Sequence, residues 1–311
     1  MPLLWPRPQR VGTAEGVKLS LELNKPYFTP GEEMSCLLRA FVDKPLVFKA
    51  IAAEVICYEK MFSGRSKRTL ISHKDSKRIS GRGSLRPPRA SLGFSMSIPR
   101  GAKPTYLGEH LMVGWRIKVR IKMPLTHDLV VSHPVFVIGV FSSEGPTVSS
   151  SSRGPSDLIL RLRKNVFLPR EEIRGTIFSN NPSEIRSCRV ELLVKESFRM
   201  NPFAKEITRV RCLRKLPLEV ADEVRFSLLS PHYSPFRSRY SSASYELRAV
   251  ASLRRGGDLI ASLPILVGFP YGRGEAPSIQ EGITLSDLGR SLSASFSTPL
   301  SVNAQEFRLN L

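Results

Sequence analysis

The chain has 311 residues, 41% of them hydrophobic, and its 47 lysines and arginines outnumber 27 aspartates and glutamates to give a formal net charge of +20 at pH 7. That length suits two domains, since single cores stop growing near about 250–300 residues, and the apolar share is far above that of disordered chains. No run approaches the roughly 18 apolar residues of a spanning helix, and the charge asks for anionic partners: nucleic acid, acidic or phosphorylated protein, or anionic lipid.

At the start, Leu3–Trp5 is the only apolar run and is broken by Pro2, Pro6 and Pro8, so no secretory segment is read and a cytoplasmic protein is expected. From residue 17 the pattern is period two, in short runs bounded by proline, glycine and asparagine, which predicts an all-β fold. Met61–Leu92 breaks the pattern with nine basic residues (Arg65, Lys67, Arg68, Lys74, Lys77, Arg78, Arg82, Arg86 and Arg89) against Asp75 alone. Its glycines and prolines predict a long mobile hairpin excursion. It is either an electrostatic arm or a solvated loop. Phe62 is its one aromatic, so the stacking platform of a single-strand nucleic-acid binder is missing, which favours membrane or acidic protein.

Trp115–Met123 (WRIKVRIKM) is the clearest strand: Trp115, Ile117, Val119, Ile121 and Met123 share one face, and Arg116, Lys118, Arg120 and Lys122 the other. The basic face is either an anion-binding stripe or a sheet surface guarded by charge against aggregation. Phe141–Ser156 is serine-rich with few large side chains and is expected to be a flexible linker around the domain boundary. Beyond it, Leu158–Arg163 and Thr208–Leu213 repeat the alternation with arginines outward. The tail Glu275–Leu311 holds four acidic and two basic residues, and is either disordered or folds back to mask a basic surface.

The two halves repeat one another. Within Leu21–Phe41 (LELNKPYFTPGEEMSCLLRAF) and Leu160–Phe178 (LRLRKNVFLPREEIRGTIF), one ungapped offset of 139 residues matches Lys25 to Lys164, Phe28 to Phe167, Pro30 to Pro169 and Glu32-Glu33 to Glu171-Glu172. Farther on, Glu54-Val55 matches Glu191-Leu192, Trp115 matches Tyr245, and Ser132–Gly139 matches Ser262–Gly268, in the same order. Arg170 stands where the first half has Gly31, and the second half shows no clear copy of Pro104–Gly108 (PTYLG).

The hairpin Tyr27–Glu32 (YFTPGE), the strand Leu46–Tyr58 and the PTYLG turn before Val113–Met123 resemble the arrestin-like superfamily, which includes arrestins, the arrestin-fold subunit of retromer and the bacillus sporulation-control proteins. The resemblance covers about residues 17–140 and, less closely, 157–268. It implies two antiparallel β-sandwich domains in tandem, at 17–141 and 157–270, flanked by an N-terminal extension (1–16), a linker (142–156) and a tail (271–311). It further implies a non-enzymatic adaptor that docks cargo or receptor-like protein partners. With only three glutamines beside many arginines and lysines, the composition leans toward that of thermophile proteins, and a prokaryotic, archaeal-type source is expected.

The five histidines lack metal-ligand spacing, and no Gly-x-Ser-x-Gly elbow, phosphate loop or dinucleotide fingerprint occurs, so no cofactor, metal or catalytic residue is assigned. Cys36, Cys57, Cys188 and Cys212 sit inside alternating runs and are expected to be buried core residues. The functional expectation is a scaffold using Arg65–Arg89 and the Arg116–Lys122 stripe to bind an acidic protein or anionic membrane. The alternatives are a nucleic-acid-associated protein and an enzyme with a dispersed site.

Overall fold

The computed structural model describes residues 16–142 and 145–271, and these are all-β with mainly antiparallel pairing. The N-terminal extension up to residue 15 and the tail from 272 lie outside the described residues. The first half contains β1 (Val17–Leu23), β2 (Glu33–Val42), β3 (Leu46–Phe48), β4 (Ala50–Ser63), β5 (Ser66–Ser80), β6 (Gly83–Leu85), β7 (Arg89–Ser97), β8 (Tyr106–Leu107), β9 (Leu111–Lys122), β10 (Leu129–Val135) and β11 (Val140–Ser142). The second contains β12 (Thr147–Arg153), β13 (Ser156–Leu162), β14 (Val166–Phe167), β15 (Glu172–Ser179), β16 (Ile185–Phe198), β17 (Ile207–Leu218), β18 (Glu223–Leu229), β19 (Phe236–Arg237), β20 (Ser241–Leu253), β21 (Asp258–Val267) and β22 (Phe269–Tyr271).

The internal repeat of the sequence is a repeat of topology. The order β1-β2-β7 recurs as β13-β15-β18, and β10-β9-β4-β5 recurs as β21-β20-β16-β17; β8 pairs β9 as β19 pairs β20. The alternation predicted for Trp115–Met123 holds: Trp115, Ile117, Val119 and Ile121 are buried against Ala53, Val55 and Cys57 of β4, and all belong to one core cluster with β1 and β2. A central β4 or β9 side chain therefore has only two places to go, into that core or onto the outer face of the sheet.

The matched hairpin residues form the same clamp twice. Glu32 pairs with Lys25 and accepts the Thr29 N–H at 2.9 Å; Glu171 pairs with Lys164 and accepts the Leu168 N–H at 2.8 Å. Each lysine lies over the buried phenylalanine of its own repeat, Phe28 or Phe167, at 5.3 and 5.2 Å. The turn needs a left-handed residue in both copies: Gly31 has φ +87° and Arg170 has φ 64°. Glycine adopts this readily, whereas arginine is strained there.

Three expectations are corrected. Thr147–Arg153, read as linker, is strand β12 paired to β13; its alternate serines are not idle polarity, since Ser149 and Ser151 accept the N–H groups of Ser262 and Ile260 on β21. The segment Met61–Leu92, read as a mobile excursion, is mostly the end of β4, the 15-residue β5 and the short β6, with only Gly64 and Arg65 at the hairpin tip. Its charges alternate with Leu70, Ile79 and other residues that pack on the core, which the net-charge reading obscured. Cys36, Cys57 and Cys188 are buried as expected, but Cys212 is exposed, because it lies on edge strand β17.

The halves meet through two buried carboxylates at matched positions of β4 and β16. Glu59 pairs with Lys103 and accepts the Ser241 and Ser238 hydroxyls at 2.6 and 2.8 Å; Glu196 accepts the Tyr106 hydroxyl at 2.8 Å and the His110 N–H at 3.0 Å. Each carboxylate thus reaches into the β8–β9 or β19–β20 turn of the opposite half. The counterpart of the PTYLG turn is Ser234–Ser238, where Ser238 replaces Gly108. Glycine is required at 108 because a Cβ would fall 1.6 Å from Glu196 Oε1, whereas Ser238 uses its side chain to bind Glu59.

Burial pushes the Glu59 carboxyl up, but the hydrogen bonds and charge of Lys103, with those of Ser241 and Ser238, outweigh it and hold the pKa below 4.5. The folded protein therefore resists protonation more than the unfolded chain, and this contribution is present above about pH 4.5 and is lost as pH falls through the folded value. Glu59→Gln should lower stability at pH 7 by about 2–3 kcal/mol, by leaving Lys103 without its counterion, and should flatten the acid limb of stability measured by urea unfolding. Arg170→Gly should raise stability by about 1 kcal/mol through relief of the left-handed strain, read as a shift in the urea midpoint at unchanged slope.

Candidate anion-binding face

The outer face of the sheet β10-β9-β4-β5 gathers cations that are far apart in sequence. The register sets Arg120 beside Ala52 and Arg78, Lys118 beside Glu54 and Ser76, and Arg116 beside Ile56 and Lys74. Farther along the same face lie Tyr58 with Ile71, then Lys60 with Thr69, and Lys67 opposite Phe62. With Lys122 at the end of β9, eight cations (Lys60, Lys67, Lys74, Arg78, Arg116, Lys118, Arg120 and Lys122) share a surface on which β4, β5 and β9 contribute one carboxylate, Glu54. Residues two apart on a strand stand about 6.5–7 Å from each other and neighbouring strands about 4.8 Å, so the charges form a lattice rather than a line.

Compensation on this lattice is sparse. Glu54 reaches Lys74 at 3.2 Å, and Asp128, beyond β9, lies 3.8 Å from Arg120. The Arg116 Nε is buried without a hydrogen-bond partner. The Lys118 ammonium is pushed below the usual lysine value by burial and by Arg120, Arg116 and Lys74, against the pull of Glu54. Lys60 is shifted the same way by burial, Lys67 and Arg116, and its ammonium lies 5.1 Å from the Tyr58 ring centre. Ile56 is buried on this face although it points away from the core, as expected beneath the apolar stems of long basic side chains.

The duplicated sheet supplies an internal control. Matching register puts Glu191 at the position of Glu54, Arg248 at that of Lys118 and Glu246 at that of Arg116. There the central charges pair, Arg189 Nε lying 2.7 Å from Glu191 and Arg248 Nε 2.8 Å from Glu246, while Lys195 and Lys215 stand on the same face beside them. The hydrogen bond from Arg248 draws the Glu246 carboxyl below its ordinary value, the reverse of the strain on Lys118. One scaffold therefore carries a face of mixed, largely paired charge in the second half and a sparsely compensated cationic face in the first.

The structure unites part of the predicted basic set. Lys67, Lys74 and Arg78 of β5 join Arg116, Lys118, Arg120 and Lys122 on one face, and Arg65 sits exposed at the hairpin tip beside them. The remainder go elsewhere. Arg68 points to the other side, donating to the Arg199 carbonyl at 3.1 Å and lying over Tyr240. Lys77 also points inward, to the Ser95 carbonyl of β7. Arg82 and Arg86 flank β6, and Arg89 opens β7 over the Phe41 ring. Sequence reasoning missed Lys60 and the Tyr58–Ile56 patch at the centre; the signal was present as the outward parity of β4, but the pairing of β4 between β5 and β9 was not. In comparison with known proteins, no family model and no curated protein matches the chain.

Proposed function

We propose that this protein is a non-enzymatic, arrestin-like adaptor that binds an acidic region of a protein partner on the outer face of β4, β5 and β9. The carrying observation is the contrast between the two copies: Arg116 and Lys118 form no ion pair among the described residues, their neighbour Glu54 reaching Lys74, where Glu246 and Arg248 form one. A cluster that depresses its own lysines costs folding free energy, and an anionic ligand would recover that cost on binding. The twin turn clamps and the repeated sheet order support the arrestin-like reading.

The placement of the cations favours protein over the other polyanions. Charges fixed on twisted strands cannot sweep out to a flat bilayer as a mobile arm would, so only part of the face would meet lipid headgroups at once. Tyr58 and Phe62 are the two aromatic rings that β4, β5 and β9 place on this face, too few to stack successive bases.

The test compares binding of a fluorescent hexaglutamate peptide, anionic liposomes and single-stranded RNA to wild type and to Arg116→Glu/Lys118→Glu, at about 50 and 300 mM salt. The expected outcome is salt-sensitive peptide binding that the double variant weakens at least tenfold, about 1.4 kcal/mol, while its unfolding midpoint stays the same or rises. Unchanged peptide binding in the folded variant, or preferential binding of liposomes or RNA through this face, would overturn the assignment.

A further inference from the structure

Strand β5 ends its sheet: it pairs with β4 along its length, and no described strand pairs with its other side. Near its start, Arg68 on the inward face donates to the Arg199 carbonyl of the second half. From Leu70 to Ser80 the unpaired side offers a row of backbone donors and acceptors about 35 Å long at the usual rise per residue. Such an edge is a template for another extended chain.

Cations on an edge commonly serve only to prevent pairing with a second copy, and Lys74 and Arg78 would do so, because antiparallel self-pairing sets like charges against each other. Edge protection does not account for Lys60, Arg116 and Lys118, which lie on β4 and β9 in the sheet interior. The charge extends inward from the edge as a footing for a ligand laid along it. The same repulsion that bars a second copy admits a strand of opposite sign.

The two sides of β5 also differ in chemistry. Thr69, Ile71, Lys74, Ser76 and Arg78 share the cationic outer face, whereas Leu70, His73, Asp75 and Lys77 face the other way, Leu70 packing on the core, the His73 ring lying tilted 5.7 Å from that of Trp115 and Lys77 reaching the Ser95 carbonyl. Leu92 and Phe94 of β7, the edge of the facing sheet, are partly buried on the same core. An added strand would therefore meet cations with alternate side chains and, with the others, a seam that is apolar at Leu70, Leu92 and Phe94 and charged at Asp75 and Lys77.

Resting on the proposed anion-binding role, we infer that the partner segment binds by strand addition to the free edge of β5, and that it alternates acidic and apolar residues. Main-chain pairing supplies the contact, the outer lattice takes the carboxylates, and the Leu70, Leu92 and Phe94 part of the inward seam takes the apolar side chains.

The experiment uses the full chain and three fluorescent dodecapeptides: six Glu-Val repeats, the block isomer with six glutamates followed by six valines, and the fully N-methylated repeat peptide, which keeps the charges and removes every N–H. The alternating peptide should bind at least tenfold more tightly than either control and should slow amide exchange within residues 70–80. Equal binding of all three, lost in Arg116→Glu/Lys118→Glu, would overturn strand addition and leave the anion-binding face standing. Binding of none would overturn both.

Discussion

The structure turns on the burial of one side of β4 and β9. Trp115, Ile117, Val119 and Ile121 pack with Ala53, Val55 and Cys57 in the core, and the pleat then leaves every intervening side chain no course but outward. A slip of one residue would bury Arg116, Lys118 and Arg120 together, at a cost no surrounding group could offset. The hydrophobic set thus fixes the cationic set. Because β5 is hydrogen-bonded to the far side of β4, its outward residues Lys67, Lys74 and Arg78 are carried onto the same surface by the same constraint.

Duplication makes the departure from neutrality visible. The two copies keep the features that hold the fold: the lysine–glutamate turn clamp, the sheet order and the carboxylate that each half inserts into the other. They differ where folding makes no demand. In the second copy, the outward arginines pair with Glu191 and Glu246; in the first, one sign prevails, with an orphaned guanidinium nitrogen and depressed lysines as its cost. Stability alone would favour the paired version at both places, so the cationic face is read as a binding surface.

Much of the fold was legible in the sequence because period-two burial and the turn clamp are local. Lys25, Phe28 and Glu32 recur as Lys164, Phe167 and Glu171 because one ion pair, one ring contact and one turn hydrogen bond require those spacings. The PTYLG counterpart was hidden because Ser238 solves by hydrogen bonding what Gly108 solves by absence of a side chain. The site was legible as two separate stripes. Their union depends on long-range strand order, with β4 between β9 and β5, which no local pattern encodes, and composition misread β5 and β12 as loop and linker because charge and serine can line an exposed strand as readily as a coil.

The most direct test of the account is residue-resolved mapping of an anionic probe, with hexaglutamate titrated into isotope-labelled protein and backbone shifts followed by NMR. The account predicts perturbations concentrated on β4, β5 and β9 around Lys60, Lys74, Arg116 and Lys118, with the matched face around Arg189, Glu191, Glu246 and Arg248 unmoved. Equal perturbation of both faces, or shifts spread over the surface in proportion to net charge, would contradict it.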